Sequence, residues 1–554
     1  MKEFFTTHKA PKTKLILMAS LFLCGLFYEY LACLCSVLLI VSLLVDYRKN
    51  GFLLLPKTGS FYLSCFIAGM YGLSAFWAVD SGMALLGFFK FLPLPLFLLA
   101  AAQYPSETRQ TWLAQLPATG VCMTVICALT RILPGSPFFV NGRLAGCFLY
   151  PNTFALFLLL GVIILVSGAQ RDKVTLLQLA VLLAGIGLSG SRTVLVLLLI
   201  TVGAALLRKE RSTRLIVGSM LAALLLISLG YALISNDFSA LGRMFTLSLQ
   251  SSTLQGRLLY WQDALPVILR HPFGLGYMGY AFLQGSFQTG VYSVTYVHND
   301  WLQLALDVGW LPAILLIAEL IRTVFSRQND LTGRLMLTAI ALHSIMDFDL
   351  QFPAIWFVLL LALDRAEHQS ERIIRRSPVL PGAMLLAACL FFGTVSALYY
   401  GGAHDACVRL YPAHTQAQLA RIQRAETIEE AAAIADGILP RNDSAALAWS
   451  AKARAAFYAG DMIRVIEYKE RAIALARYSL EEYLDYFQML HTGYQLYLQQ
   501  GDRTSAEVCR QKLLSIPQQM EAVLQGTSPR GWRIQDQPEL TLPEEYQRIL
   551  TELR

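Results

Sequence analysis

Long apolar stretches alternate with short polar segments from Leu15 to Tyr400, and the alternation then stops. A helix needs about 20 predominantly apolar residues to cross the hydrocarbon core of a bilayer, and most of these stretches approach that length. The pattern therefore predicts about 12–13 membrane-spanning helices. We place them near 13–28, 30–46, 60–78, 83–103, 111–132, 151–168, 174–190, 192–207, 214–234, 299–323, 333–349, 352–364 and 379–400.

Residues beyond Tyr400 are polar, alanine-rich and helix-forming. We therefore expect a membrane domain of residues 1–400 and a separate helical domain of residues 401–554. The second domain has turn residues at Gly460-Asp461 and Gly501-Asp502, between predicted helices. This pattern resembles degenerate tetratricopeptide repeats, whose helix pairs stack into a concave surface. A plain helical bundle remains the alternative. In both cases the predicted fold class is all-α.

Composition supports a membrane protein. The chain is 55% hydrophobic and 15% charged, whereas a soluble domain carries roughly a quarter charged residues. The net charge is +7, but most basic residues fall in short segments between apolar stretches. We therefore expect contact with membrane lipid and no nucleic-acid partner.

The distribution of Lys and Arg predicts the orientation, because these residues accumulate in cytoplasmic loops. It places the N-terminus inside, an outer loop at about 235–297, and the helical domain outside the cytoplasmic (inner) membrane. We also expect the first helix to remain uncleaved, since no small-residue cleavage site precedes the next span. The basic segments assigned to the cytoplasm are 47–49, 106–110, 171–173, 208–214, 322–334 and 364–376.

Few arginines fall on the predicted outer side, namely Arg143, Arg192, Arg243, Arg257 and Arg270. A single outward arginine is most often a headgroup anchor. Ionisable groups at membrane depth, however, are costly and usually mark a pathway or a site. Lys90, within the fourth predicted span, either contacts phosphate or pairs with a carboxylate inside the bundle.

His298 follows the outer loop directly, where the next span begins. An imidazole with a pKa near 6.5 can take a proton from a hydroxyl at neutral pH. Alone, such a histidine is equally well a helix-cap or headgroup residue. Together with Gly190–Thr193 and Gly256–Trp261, it indicates proton transfer beside an anionic substrate, because guanidinium groups bind diphosphate oxygens in bidentate fashion.

Other polar residues are predicted near this face. Asp347 and Asp349 either orient His298 or a sugar, or form an ordinary polar turn before Pro353. Arg143 lies in an outer loop that leads to Asn152, at a helix start where backbone N–H groups can bind an anion. Asn152 alternatively caps that helix.

Gly274–Gly279 formally matches GxGxxG. No strand precedes it and no βαβ pattern surrounds it, so we reject a nucleotide site and assign the glycines to tight turns. The ten cysteines form no CxxC pair or metal-ligand spacing. We therefore expect no metal and no cofactor.

The chain resembles the O-antigen ligase and Wzy-type polymerase superfamily of bacterial envelope glycosyltransferases, over roughly residues 140–350. The ordered segments that carry the resemblance are Gly190–Thr193, Gly256–Trp261, Pro272–Gly276 and His298–Gly309. The resemblance implies a metal-independent inverting transferase that uses undecaprenyl-diphosphate-linked glycans. By the same carry-over, Arg192 and Arg257 hold the diphosphate and His298 activates the acceptor hydroxyl. Further substrate-binding residues expected around them are Lys90, Arg143, Asn152, Asn299, Asp347 and Asp349.

We accordingly expect a ligase that transfers the glycan to a hydroxyl of a glycan, lipid or protein acceptor at the outer face. The alternative is a polymerase that joins lipid-linked repeat units. A scaffold or transporter is disfavoured, because the predicted charges cluster at one face instead of along a central pathway. A protein partner would dock on residues 401–554.

Overall fold

The computed structural model describes residues 11–133, 135–168, 172–206, 218, 252–365 and 370–554. Within these ranges the chain is predominantly helical, as predicted. The membrane part contains α1 Lys12–Phe22, α2 Glu29–Asn50, α3 Gly59–Ser74, α4 Ser81–Phe91, α5 Pro93–Ala101, α6 Ser106–Leu113, α7 Leu116–Leu129, α8 Pro151–Ser167, α9 Lys173–Ser189, α10 Arg192–Leu206, α11 Ser252–Arg270, α12 Gly279–Phe287, α13 Asp300–Val308, α14 Trp310–Phe325, α15 Leu331–His343, α16 Pro353–Asp364 and α17 Val379–Tyr400.

Two small antiparallel sheets accompany these helices. Strand β1 (Leu53–Pro56) pairs with β4 (Glu371–Ile374), with Leu53 opposite Ile374. Strands β2 (Phe139–Val140) and β3 (Arg143–Leu144) form a hairpin. Its turn is Asn141-Gly142, and both turn residues have positive φ. Such a turn suits the twist of a two-residue hairpin.

Four helical segments of the described chain are long and apolar enough to cross a membrane: Glu29–Asn50, Ser81–Ala101, Ser106–Ile132 and Val379–Tyr400. Helices α8, α9, α10, α15 and α16 are apolar but shorter, at 10–17 residues. The chain is therefore an integral membrane protein, and its apolar helices are less uniform in length than the sequence predicted. The predicted span 214–234 (apart from residue 218), the basic segment 208–214 and Arg243 lie outside the described residues.

Helix α16 lies at the centre of the membrane part, because all of its residues from Pro353 to Asp364 are buried. Phe357 of α16 stacks on Phe97 of α5, with ring centroids 4.2 Å apart. Nearly all of α8 is buried as well. An all-round apolar helix requires such a position, since it has no polar face to present to water.

The predicted span 299–323 is two helices, and this part of the prediction was wrong. Helix α13 ends before Gly309 and α14 begins after it; Gly309 has φ 93° and ψ 163°. A Cβ on Gly309 would overlap the Pro272 carbonyl oxygen, and one on Gly274 would lie 2.6 Å from the Asp307 carbonyl oxygen. The glycine-rich segment therefore packs its backbone on the end of α13, where Gly276 N donates to Asp307 O at 3.0 Å.

The predicted outer loop 235–297 contains two helices within its described part, α11 and α12. Helix α11 buries one face, including Gly256, Leu259 and Asp263, and leaves other positions exposed. Its apolar positions recur at helical spacing, and this places Arg257 on a defined helix and not on an irregular loop.

The chain beyond Tyr400 forms α18 His404–Leu410, α19 Thr415–Ile422, α20 Ile428–Ile438, α21 Ala446–Tyr458, α22 Met462–Leu475, α23 Leu480–Gln500, α24 Arg503–Gln525 and α25 Glu544–Leu553. Helix α21 packs on α22, and α23 packs on α24. Each pair turns through a glycine of positive φ, Gly460 or Gly501. The following Asp461 or Asp502 caps the second helix. The tetratricopeptide assignment, the domain boundary and the membrane orientation remain predictions.

Gly309→Ala should destabilise the protein. The φ and ψ of Gly309 are essentially restricted to glycine, so a side chain there costs about 1–3 kcal/mol before the overlap with Pro272 is counted. Thermal unfolding in detergent measures the effect. The control is Gly203→Ala inside α10, where a Cβ meets no described atom within 4 Å and helix propensity favours alanine. Equal melting temperatures for the two variants would contradict the account.

Candidate active site

His298 is held in an unusual backbone conformation beside two aromatic rings. Its φ is 52°, a region that non-glycine residues seldom occupy and that often marks a functional site. The imidazole centroid lies 5.0 Å from that of Phe348, edge to face, and 5.9 Å from that of Tyr260. The ring is therefore fixed by packing on both α11 and the turn after α15.

The tautomer of His298 follows from its hydrogen bond. Nδ1 lies 2.9 Å from the Tyr296 carbonyl oxygen. A carbonyl only accepts, so Nδ1 carries the proton and Nε2 keeps the lone pair. The imidazole can then act as a base only through Nε2.

The residues after His298 hold the start of α13 in place. The Asn299 side chain accepts from Leu302 N at 3.0 Å and so caps the helix. The Asp300 carboxylate accepts from Leu350 N at 3.0 and 3.1 Å. The structure thus gives Asn299, a predicted substrate-binding residue, a capping role.

Arg257 forms an ion pair with Asp347. Its Nη2 lies 3.2 Å from Asp347 Oδ2, and the two side chains are 11% and 1% exposed. The buried Nε of Arg257 has no hydrogen-bond partner among the described residues. Buried donors are rarely left without a partner, so this N–H is suited to a ligand oxygen.

Asp347 also joins the start of α8 to this pair. Its carboxylate accepts from Tyr150 Oη at 2.7 Å and from Asn152 Nδ2 at 2.6 Å. Arg143 Nη2 donates to Asn152 Oδ1 at 2.7 Å, and Arg143 Nε donates to Ser189 O at 2.7 Å. Four predicted site residues, Arg143, Asn152, Arg257 and Asp347, therefore form one hydrogen-bonded chain.

Asp349 occupies a different place. It accepts from Thr153 Oγ1 at 2.7 Å and contacts His343 Nδ1, and all three residues are fully buried. Of the two candidate carboxylates, Asp347 is the one beside Arg257 and His298. The paired Asp349 joins α15 to α8 inside the bundle.

The hydrogen bonds of Lys90 are to residues other than His298 and Arg257. Lys90 is completely buried, and its Nζ lies 3.2 Å from Tyr277 Oη, 3.3 Å from Tyr296 Oη and 3.4 Å from Gln351 Oε1. Tyr277 in turn donates to Glu29 Oε1 at 2.5 Å. Lys90 thus reaches a carboxylate through a tyrosine, and its predicted contact with substrate phosphate remains untested.

Arg192 begins α10, directly after the turn at Gly190 and Ser191, and is partly buried. Arg143 reaches this turn through the Ser189 carbonyl, and Gly190 has φ 59°. The structure therefore links the segment before Arg192 to the Asp347 chain, whereas its predicted contact with diphosphate remains a prediction.

A cavity of about 320 Å³ contains the candidate base and the candidate anion-binding arginine. The residues that line it are Ser252, Thr253, Gly256, Arg257, Tyr260, Val291, Tyr292, Ser293, Val294, His298, Ile534, Gln535 and Asp536. Neither Arg192 nor Lys90 is among them. Residues Ile534–Asp536 come from the C-terminal part of the chain, so one wall of the site is supplied from far along the sequence.

Sequence reasoning missed Tyr260, Tyr292 and Asp536. Tyr260 lies within the Gly256–Trp261 segment and one turn after Arg257 on α11, which was a usable signal. No sequence pattern could have identified Asp536 as a site residue, because nothing near it in the sequence indicates contact with α11. Its position follows from tertiary contacts, such as Arg530 Nη1 donating to Gln262 Oε1 at 2.7 Å.

Burial is the main influence on the pKa of His298. It lowers the pKa of the imidazole from the ordinary value of 6.5; Arg257 acts in the same direction, and Asp347 opposes it. The imidazole is therefore neutral at pH 7, as a proton acceptor must be.

Fold and site together define a helical integral membrane protein with a neutral histidine and an ion-paired arginine in one cavity. Residues 177–317 match the family model of the O-antigen ligase domain, Wzy_C. The match covers about a quarter of the chain and includes Arg192, Arg257 and His298. It supports a role as a ligase or polymerase in polysaccharide synthesis. No curated protein matched the chain.

Asp347→Asn should lower the pKa of His298 further. The substitution removes the negative charge that favours the imidazolium and leaves the charge of Arg257, which disfavours it. Nuclear magnetic resonance of ¹³C-labelled histidine across pH measures the shift, with the signal assigned by comparison with His298→Gln. Glu552→Gln, an exposed change in α25, is the control. A rise in the pKa, or no change, would contradict the electrostatic account.

Proposed function

We propose that the protein transfers a glycan from undecaprenyl diphosphate to an acceptor hydroxyl at the outer face of the cytoplasmic membrane. The observation that carries the proposal is the shared cavity of His298 and Arg257, two residues that lie within the region that matches the O-antigen ligase family. A neutral base and a cation with an unpaired N–H are the two groups that such a transfer requires.

The donor would bind with its diphosphate at Arg257. The ion pair with Asp347 uses Nη2 of the guanidinium, and Nε remains available to a phosphate oxygen. Arg192 and Arg143 would add positive charge near the same face, since Arg143 bonds the turn before Arg192. Two negative charges of a diphosphate would be partly neutralised in this way, which makes it a better leaving group.

The reaction is a single displacement. The acceptor oxygen attacks the anomeric carbon, and its proton passes to Nε2 of His298. The bond between the anomeric carbon and the diphosphate oxygen breaks, and undecaprenyl diphosphate leaves with the electron pair. The configuration at the anomeric carbon inverts. The proton on His298 is then released to water, which restores the neutral base.

His298→Ala and Arg257→Ala should abolish most transfer in a reconstituted assay with an undecaprenyl-diphosphate oligosaccharide. Loss of a general base costs about 10²–10⁴-fold in rate, and loss of a donor to developing charge costs about 10²–10³-fold. His271→Ala and Arg270→Ala are matched controls, because both residues are exposed at the end of α11. Correctly inserted His298 and Arg257 variants with normal rates would contradict the proposed function.

The length of the lipid-linked glycans in cells that carry His298→Ala distinguishes a ligase from a polymerase. A ligase defect leaves long chains attached to the lipid carrier, because polymerisation continues without transfer to the acceptor. We expect this pattern. Gel banding of the lipid-linked fraction measures it, with His271→Ala cells as the control. Lipid-linked glycans of a single repeat unit would instead identify a polymerase.

A further inference from the structure

A second cavity, of about 340 Å³, lies between α12 and the C-terminal helices. We call it the seam. On the side of α12 it is lined by Gln284 and Gln288, and on the other side by Ser444, Tyr478 and Ser479. The seam therefore lies where the membrane part and the C-terminal part of the chain meet.

The seam adjoins the cavity of His298. Tyr292 and Ser293 line both cavities, and Ser293 is exposed between them. Tyr292 is fixed by its hydroxyl, which donates to Asp263 Oδ2 at 2.9 Å. A ligand that extends from His298 past Ser293 would therefore enter the seam.

Close backbone contacts hold the two walls of the seam together. A Cβ on Gly285 would overlap the Leu475 carbonyl oxygen, and one on Gly290 would lie 2.7 Å from Gly531 Cα. Ser528 N donates to Thr289 O at 2.9 Å. Gly285 and Leu475 both line the seam, and their contact leaves no room for a side chain, so the two walls are closely packed at this point.

The residues that line the seam indicate the class of ligand that it can bind. None of the described residues that line it is charged, which disfavours a phosphate or an ionic peptide. They offer amide and hydroxyl groups together with the rings of Phe282, Tyr292 and Tyr478. Hydroxyl-rich, uncharged ligands with apolar ring faces, such as sugars, match this set.

We propose that the seam binds the glycan chain, several sugars long, whose end reacts at His298. The inference rests on the proposed function and adds to it a site that binds the sugars beyond the reacting end of the glycan. Donor and acceptor glycans share this chemistry. The C-terminal helices would then act as one wall of a substrate site and not only as a place for a protein partner.

Binding of free glycans tests the proposal. The host's own surface polysaccharide, released from its lipid by mild acid, is separated into fractions of one repeat unit and of several. These fractions lack diphosphate, so binding to the purified full chain reports sugar contacts alone. We expect the longer fraction to bind about tenfold more tightly than the single repeat.

Two variants fill the seam, Ser479→Trp and Ala446→Trp; both residues line it and are partly buried. Each should remove the gain from chain length and keep the binding of the single repeat. Thr504→Trp, at an exposed position on α24 that lines neither cavity, should bind as the wild type does. Unchanged binding of long fractions by both seam variants, equal loss of both fractions, or no length dependence in the wild type would overturn the proposal.

Transfer assays then identify the source of the chain. A long donor with a short acceptor, and a short donor with a long acceptor, are compared in the wild type and Ser479→Trp. The arm in which Ser479→Trp loses rate shows which glycan occupies the seam, and loss in neither arm overturns the inference. Length-dependent binding together with normal transfer by His298→Ala would overturn the proposed function and leave the seam as a glycan site.

Discussion

The buried ion pair of Arg257 and Asp347 organises the site. Asp347 is 1% exposed, and it also accepts hydrogen bonds from Tyr150 and Asn152 at the start of α8. One carboxylate thus joins α8, α11 and the turn after α15. Removal of one partner of a buried pair leaves the other charge uncompensated, at a cost of about 3–5 kcal/mol. The pair therefore fixes the position of the guanidinium, whose Nε–H has no hydrogen-bond partner in the part of the chain that the structure describes.

The position of His298 depends on the same turn. Phe348 follows Asp347, donates its backbone N–H to Asp347 Oδ1 at 3.1 Å, and packs against the imidazole. Two residues later, Leu350 N is bound by the Asp300 carboxylate. The imidazole of His298 and the guanidinium of Arg257 are consequently both positioned by one short segment, so that a shift in this turn would move both. The lowered pKa of His298 follows from this enclosure, because burial of the ring disfavours its charged form.

Hydropathy located helices such as α2, α8 and α17 to within a few residues, because an uninterrupted apolar stretch has few alternatives in a membrane. It missed the break at Gly309, since a single glycine within an apolar stretch usually remains helical. The break exists because the backbone of 272–276 approaches α13 closely, a tertiary contact. For the same reason Asp347 and Asp349 could not be distinguished from sequence, nor could Asp536 be assigned to the site. Their partners lie on other elements.

We propose that Arg257, held by Asp347, binds the lipid diphosphate beside His298. A cryo-electron microscopy structure of the full chain with undecaprenyl diphosphate would show where the diphosphate binds. We expect a phosphate oxygen within hydrogen-bond distance of Arg257 Nε, with the Arg257–Asp347 pair retained. A diphosphate bound away from this cavity, for example at Lys90, would rule the proposal out.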